Sequence, residues 1–131
     1  MREIIKSTNN KVTTKVSKEM LASAVGSGAA DVFSTPMMIA LMEKAAFLNL
    51  QQFLDEGESS VGMEISVKHT SATPLGMEVY ATSEITAIDG KKVDFKMEAY
   101  DSCGLIGEAT HSRFVINAEK FIAKANSKLN S

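Results

Sequence analysis

The chain has little of what would tie it to a disulfide framework or a metal centre. Its 131 residues include one cysteine, Cys103, and two histidines, His69 and His111. A lone cysteine excludes an internal disulfide and any multi-cysteine zinc site, and it fits a reducing compartment, so a cytoplasmic location is expected. An excess of charge is missing too: 14 basic against 16 acidic side chains leave a formal net charge of -2, without the basic face that a nucleic-acid partner requires. The longest apolar run, Pro36 to Met42, falls well short of the roughly 18 residues of a membrane span. Met1 to Thr14 offers only Ile4, Ile5 and Val12 as sizeable apolar residues, so no secretory leader is expected. Repeats, low-complexity tracts and blocks of like charge are absent, as are the GxSxG, glycine-rich phosphate-loop and HExxH motifs. Classical hydrolase, kinase and metalloprotease chemistry loses its support, and no cofactor is expected.

What is present reads as one globular domain over residues 1–131, since a chain of this length buries enough surface for one core but not for two. Lys11 to Ser17 alternates as a strand, and Met20 to Asp31, rich in Ala, Gly and Ser, reads as a loop. Ser34-Thr35-Pro36 then opens a helix from about Pro36 to Asp55, with either hydroxyl residue as the N-cap and proline in the first turn. Its first two turns are apolar on every side, the pattern of a helix enclosed by protein, and Gly57 is the expected stop.

From Ser59 the period changes from 3.6 to 2. Four alternating segments follow: Val61, Met63, Ile65, Val67; Met77, Val79, Ala81, Ile85; Val93, Phe95, Met97, Ala99; and Ile106, Phe114, Ile116. Pro74 with Gly76, Asp89 with Gly90 and Ser102 with Gly104 separate them, and short turns make the sheet antiparallel. Asn117 can cap a terminal helix over about 118–126, with Phe121, Ile122 and Ala125 as a stripe for the rim of the sheet. A strand, one long helix and a four-strand meander specify an α+β architecture, a curved antiparallel sheet wrapped around one central helix, and the hot-dog fold has this order. A lone curved sheet leaves an edge and a face uncovered, so a homodimer, with dimers of dimers open, is the expected assembly.

Glu43 is the first charge after the apolar run. It either faces a solvent gap among surface charges or serves as a site carboxylate, because a buried carboxylate is costly without partners. His69 continues the apolar face of its strand at period two. It is either a satisfied rim histidine or a proton-transfer group able to meet a helix carboxylate. Thr35 is a cap or a site residue; eight positions separate it from Glu43, about 12 Å along a helix axis, so a site using both is completed across a dimer interface or spanned by substrate. Gly62 inside a strand marks a bulge or a close approach of ligand to backbone. Arg113 and His111 share one face of the last strand, whose inward side the pattern leaves open, and Arg113 either binds an anion or pairs with an acid. Cys103, in a turn with no partner for a thiol nucleophile, is read as structural.

Three stretches carry a resemblance: Val32-Phe33-Ser34-Thr35-Pro36 through Leu41-Met42-Glu43; Val61-Gly62 through Lys68-His69-Thr70; and Gly107-Glu108-Ala109-Thr110-His111-Ser112-Arg113-Phe114-Val115. Together they resemble the fluoroacetyl-CoA thioesterase branch of the hot-dog superfamily, over about Lys11 to Asn117. The resemblance implies hydrolysis of an acyl-CoA thioester, with Thr35, Glu43 and His69 as the catalytic triad and Gly62 and Arg113 as substrate-binding residues. It also implies a departure, because small residues such as Gly26 and Ala29 stand where that branch carries aromatic lid residues. A catalytically silent module that binds acyl-CoA or another small ligand is the alternative reading.

Overall fold

The computed structural model describes residues 1–130. Five strands, β1 (Asn9–Lys15), β2 (Glu58–His69), β3 (Glu78–Asp89), β4 (Lys92–Asp101) and β5 (Gly104–Asn117), form one antiparallel sheet in the order β1-β3-β4-β5-β2. A single turn of helix, α1 (Ala22–Val25), precedes the long helix α2 (Thr35–Gln51), and α3 (Ala118–Asn126) follows the last strand. None of the helices among the described residues is long and apolar enough to cross a membrane. The hairpin between β3 and β4 turns on Gly90 and Lys91, with Asp89 paired to Lys92 and Gly90 at φ +61. Glycine first in a two-residue turn matches the right-handed twist of the strands it joins.

The core lies between α2 and the sheet. Met38, Met42, Ala45, Ala46 and Leu50 pack over Val79, Ala81, Ile85, Val93, Phe95, Met97 and Ala99, all fully or almost fully buried. Truncating Met42 to alanine in such a setting costs about 2–5 kcal/mol. A small polar cluster bolts the helix in register: Asn49 Nδ2 donates to the Thr8 carbonyl at 3.0 Å and to Ser83 Oγ at 3.1 Å, and Asn10 Nδ2 donates to the Ala45 carbonyl at 2.9 Å. Met38 fixes the other end by lying where a side chain on Gly107 would be. A Cβ there would come within 2.6 Å of Met38 Cε and 2.8 Å of the Lys68 carbonyl.

Several expectations need correction. First, α2 is not enclosed on every side: Pro36 and Ala40 are exposed and Ile39 half-buried, because the sheet covers one face only. Its regular turns also stop at Gln51, ahead of the expected Asp55. Second, the Met20–Asp31 stretch contains the α1 turn. Third, the alternation of β2 is interrupted between Gly62 and Glu64, where the pairing with β5 skips Met63, which is 56% exposed. One inserted residue moves every later side chain to the opposite face. Ser60 therefore points inward before the bulge and Ile65, Val67 and His69 after it, whereas Met63 does not share their face. Fourth, the inward face of β5 is Ala109, His111, Arg113 and Val115, while Phe114 is 39% exposed. The terminal helix α3 is capped by Asn117 as expected, but Phe121 and Ile122 are exposed instead of packed on the rim.

Candidate active site

The N-terminus of α2 and the end of β2 meet at Thr35 and His69. Ser34 is the N-cap: its hydroxyl accepts the Met37 N–H at 3.3 Å and its carbonyl accepts the Met38 N–H at 2.9 Å. Thr35 is thereby released from the capping role that the sequence left open between the two. Its Oγ1 lies 2.8 Å from His69 Nδ1. Pro36 has no N–H to offer, so the first-turn donor left without an acceptor among the described residues is the N–H of Thr35. His69 is held in place by the next residue, whose N–H donates to the Ile106 carbonyl at 2.7 Å. Burial pushes the His69 imidazole below the usual histidine range, with the Ser71 backbone opposing the shift. Its Nε2 is enclosed and makes no hydrogen bond of normal geometry. Thr35 and His69 both line an open cavity of about 380 Å³.

Two turns further along α2, Glu43 faces the bulge of β2 and the inward side of β5. Its carboxylate is 42% exposed, 3.7 Å from a terminal nitrogen of Arg113 and 4.0 Å from His111 Nε2. Gly62 is what lets it come so close: a Cβ at that position would lie 2.9 Å from Glu43 Oε2 and 3.1 Å from His111 Cε1. The bulge reading of Gly62 therefore holds, and the close approach made there is that of a side chain of the same chain.

Arg113 is buried, and its donors are largely committed. Nε donates to Ser60 Oγ at 2.8 Å, one terminal nitrogen donates to the Ser60 carbonyl at 2.9 Å, and the other lies 3.2 Å from His111 Nε2. His111 Nδ1 lies 2.8 Å from the Glu64 carbonyl, which can only accept, so Nδ1 carries the proton and Nε2 accepts from Arg113. Burial is the main cause that holds this imidazole below its ordinary range; the Arg113 charge adds to the shift, and the Glu64 carbonyl and Glu43 oppose it. His111 is thus neutral and the positive charge beside Glu43 belongs to Arg113. The Phe47 ring, one turn after Glu43, lies 5.8 Å from the guanidinium carbon.

Within one chain these are two separate clusters. The contact with a helix carboxylate that was open to His69 is not made within one chain: His69 is bonded to Thr35, and Glu43 is paired with Arg113. Thr35 and Glu43 are not hydrogen-bonded to one another either. Ser60 and His111 are the members that a site list built from sequence omits. Ser60 sits two residues before Gly62 and His111 two before Arg113, so each shares a strand face with a chosen residue, and that spacing was the available signal.

Comparison with known proteins gives this geometry a family. A sequence profile of the fluoroacetyl-CoA-specific thioesterases matches residues 16–119. The chain is 41% identical over 98 residues to the fluoroacetyl-CoA thioesterase of Streptantibioticus cattleyicolor, covering 75% of this chain and 70% of that protein. It superposes on the solved structure of the fluoroacetyl-CoA thioesterase FlK with a TM-score of 0.92 at 31% identity, over 96% of this chain and 98% of that one. A Thermus thermophilus member of the thioesterase superfamily superposes with a TM-score of 0.91 at 26% identity, over 99% and 96% of the two chains. A hot-dog-like protein from Thermanaerovibrio acidaminovorans shares the fold, with a TM-score of 0.84 at 23% identity. The chain belongs to the fluoroacetyl-CoA-specific thioesterase family, a family of thioester hydrolases on the hot-dog fold.

Proposed function

We propose that this protein hydrolyses an acyl-CoA thioester to the free acid and CoA, and that Thr35 and His69 of one protomer act together with Glu43 of a second. The observation that carries the reading is the 2.8 Å contact of the Thr35 hydroxyl with a neutral, burial-shifted imidazole at the wall of a cavity. A histidine held neutral at pH 7 is able to pass a proton in either direction. The Thr35 N–H, unpartnered at the start of a 17-residue helix, is the first candidate donor to the oxyanion, with the Gly62 N–H as the second. Glu43 accepts the proton of the attacking water. The water oxygen bonds to the thioester carbonyl carbon, the C–S bond breaks, the departing sulfur takes a proton from the Thr35 and His69 pair, and the proton held by Glu43 returns to that pair through water, so that all three groups are restored.

Completion of the site by a second copy of the chain rests on three features. Glu43 keeps a solvent-facing side, the strip Pro36, Ile39 and Ala40 on α2 is uncovered, and β2 is an edge strand with pairing on one side only. An uncovered edge and an uncovered apolar strip on adjoining elements are both removed by pairing β2 with its copy across a two-fold axis. Arg113 then acts on substrate through Glu43 by orienting it, and Gly62, besides its N–H, acts by admitting that carboxylate. The lone thiol, Cys103, is exposed and free, which agrees with a cytoplasmic enzyme.

The test is thiol release from a panel of acyl-CoA esters by the wild-type protein beside Glu43→Gln and His69→Ala, each checked for folding. Turnover that falls by about a hundredfold or more in both variants supports the reading. Tight acyl-CoA binding with no turnover of any ester would replace it with the silent binding module.

A further inference from the structure

The cavity beside Thr35 and His69 has walls that are informative in their own right. Ala22, Ala29, Ala30, Val32, Phe33 and Ala72 supply its apolar side chains with Gly28 as a gap among them, five hydroxyl residues and His69 supply its polar groups, and no Asp, Glu, Lys or Arg is among its lining residues. A volume of about 380 Å³ is many times the roughly 10–15 Å³ that one water needs on the same measure, so this open space is more than a two-carbon group fills. The small size of the wall is a property of its residues and not of a crowded backbone. Gly28 is outside the left-handed region, and a Cβ on it would make only an ordinary 3.8 Å contact with the Ala22 Cβ. The backbone is also firmly placed: Ala22 N–H donates to the Val32 carbonyl at 3.0 Å, Ser27 N–H to the Ala22 carbonyl at 3.0 Å, and Phe33 N–H to the Thr73 carbonyl at 2.9 Å. The space is therefore part of the fold.

We infer that the acyl group taken by this protein is a neutral, apolar one of about four to eight carbons, seated against the Ala22, Gly28–Ala30 and Ala72 wall, and not a two-carbon acyl group. This rests on the thioesterase reading for the identity of the thioester, while the size and charge of the group come from the wall. On the Ala22, Gly28–Ala30 and Ala72 wall itself a terminal carboxylate or ammonium would meet no charge of opposite sign and would exchange water for methyl groups. An acetyl or fluoroacetyl group would leave most of the wall without a partner, forfeiting the contacts that each added methylene makes, which are worth about tenfold apiece in discrimination.

Two measurements test this, one with turnover and one without. The ratio of kcat/KM for hexanoyl-CoA to that for acetyl-CoA is expected to exceed about tenfold in the wild type and to fall by about tenfold or more in Gly28→Phe, whose new ring projects from an exposed, unstrained position. Ala29→Val is the milder second variant, with a smaller fall in the same direction, and it keeps the test in force should the phenylalanine disturb folding. Separately, the wild type should bind the unreactive thioether S-heptyl-CoA about tenfold or more tightly than S-ethyl-CoA in titration calorimetry, with the advantage reduced in Gly28→Phe. Equal affinity for the two thioethers, or a wild-type preference for acetyl-CoA, overturns the inference. The thioether preference without turnover of any ester upholds the wall and overturns the thioesterase reading, so the two failures are distinguishable.

Discussion

The two clusters on α2 are built on opposite plans. Around Glu43 every polar group is tied to another of the same chain: Ser60 and His111 hold Arg113, Arg113 faces Glu43, and His111 is fixed by the Glu64 carbonyl. Around Thr35 the wiring is sparse: one side-chain contact to His69 and, among the described residues, an N–H without an acceptor and an imidazole Nε2 without a hydrogen bond of normal geometry. A buried polar network that satisfies itself is rigid and holds a charge in place. A sparsely bonded pair beside a cavity keeps its hydrogen-bonding capacity for something else. In the proposed enzyme the first plan suits an orienting support and the second a reacting centre, which is why neither cluster alone has the parts of a hydrolase.

The largest break in this comparison should come from the ionisable groups that face outward from each cluster. Glu43→Gln and His69→Ala should each lower kcat by about a hundredfold or more, and Glu43→Gln should leave the melting temperature close to wild type, since that carboxylate is 42% exposed. Arg113→Ala should break the opposite property. It strips a buried network of its centre, leaves Ser60 and His111 Nε2 without their partner, and should cost about 2–4 kcal/mol in urea denaturation.

Acid sharpens the contrast, because both histidines are held below the ordinary value of about 6.5. Between the lowered folded values and 6.5 the unfolded chain binds more protons than the folded one, so stability is complete above 6.5 and is lost as pH falls through the folded values. Denaturation at stepped pH should show this slope, and His111→Asn should remove part of it; a slope unchanged in that variant would detach His111 from the effect. The log of kcat/KM should bend downward at a pH below 6.5, where His69 takes up a proton. The smallest effect distinguishes two neighbours. Ser34→Ala should cost about 1 kcal/mol of stability as a lost cap, whereas Thr35→Ala should cost activity and only a few tenths of a kcal/mol.

Much of the architecture was legible in the sequence because it rests on local signals. Proline after two hydroxyl residues opened α2, period-two alternation marked the strands, and Asn117 capped α3. The bulge was not legible, since one extra residue at Met63 leaves the composition of the strand unchanged while moving later side chains to the other face. The orientation of β5 was hidden for a similar reason, polar residues being present on both of its faces. Candidate residues could be picked singly, and Thr35, Glu43, His69, Gly62 and Arg113 all lie in the two clusters. Their pairing could not, because a helix and a strand meet at points set by their crossing, which put Thr35 beside His69 and Glu43 beside Gly62.

In the proposed enzyme the two clusters form one site only when two chains meet. Mixing Glu43→Gln protomers with His69→Ala protomers tests it most directly, with thiol release measured after subunit exchange. Joined across a two-fold axis, each mixed dimer holds one site with both defects and one intact site, so an equal mixture should recover about a quarter of wild-type activity from two inactive parents. If the mixture stays as inactive as its parents while mass spectrometry shows that mixed dimers have formed, the clusters do not work in trans.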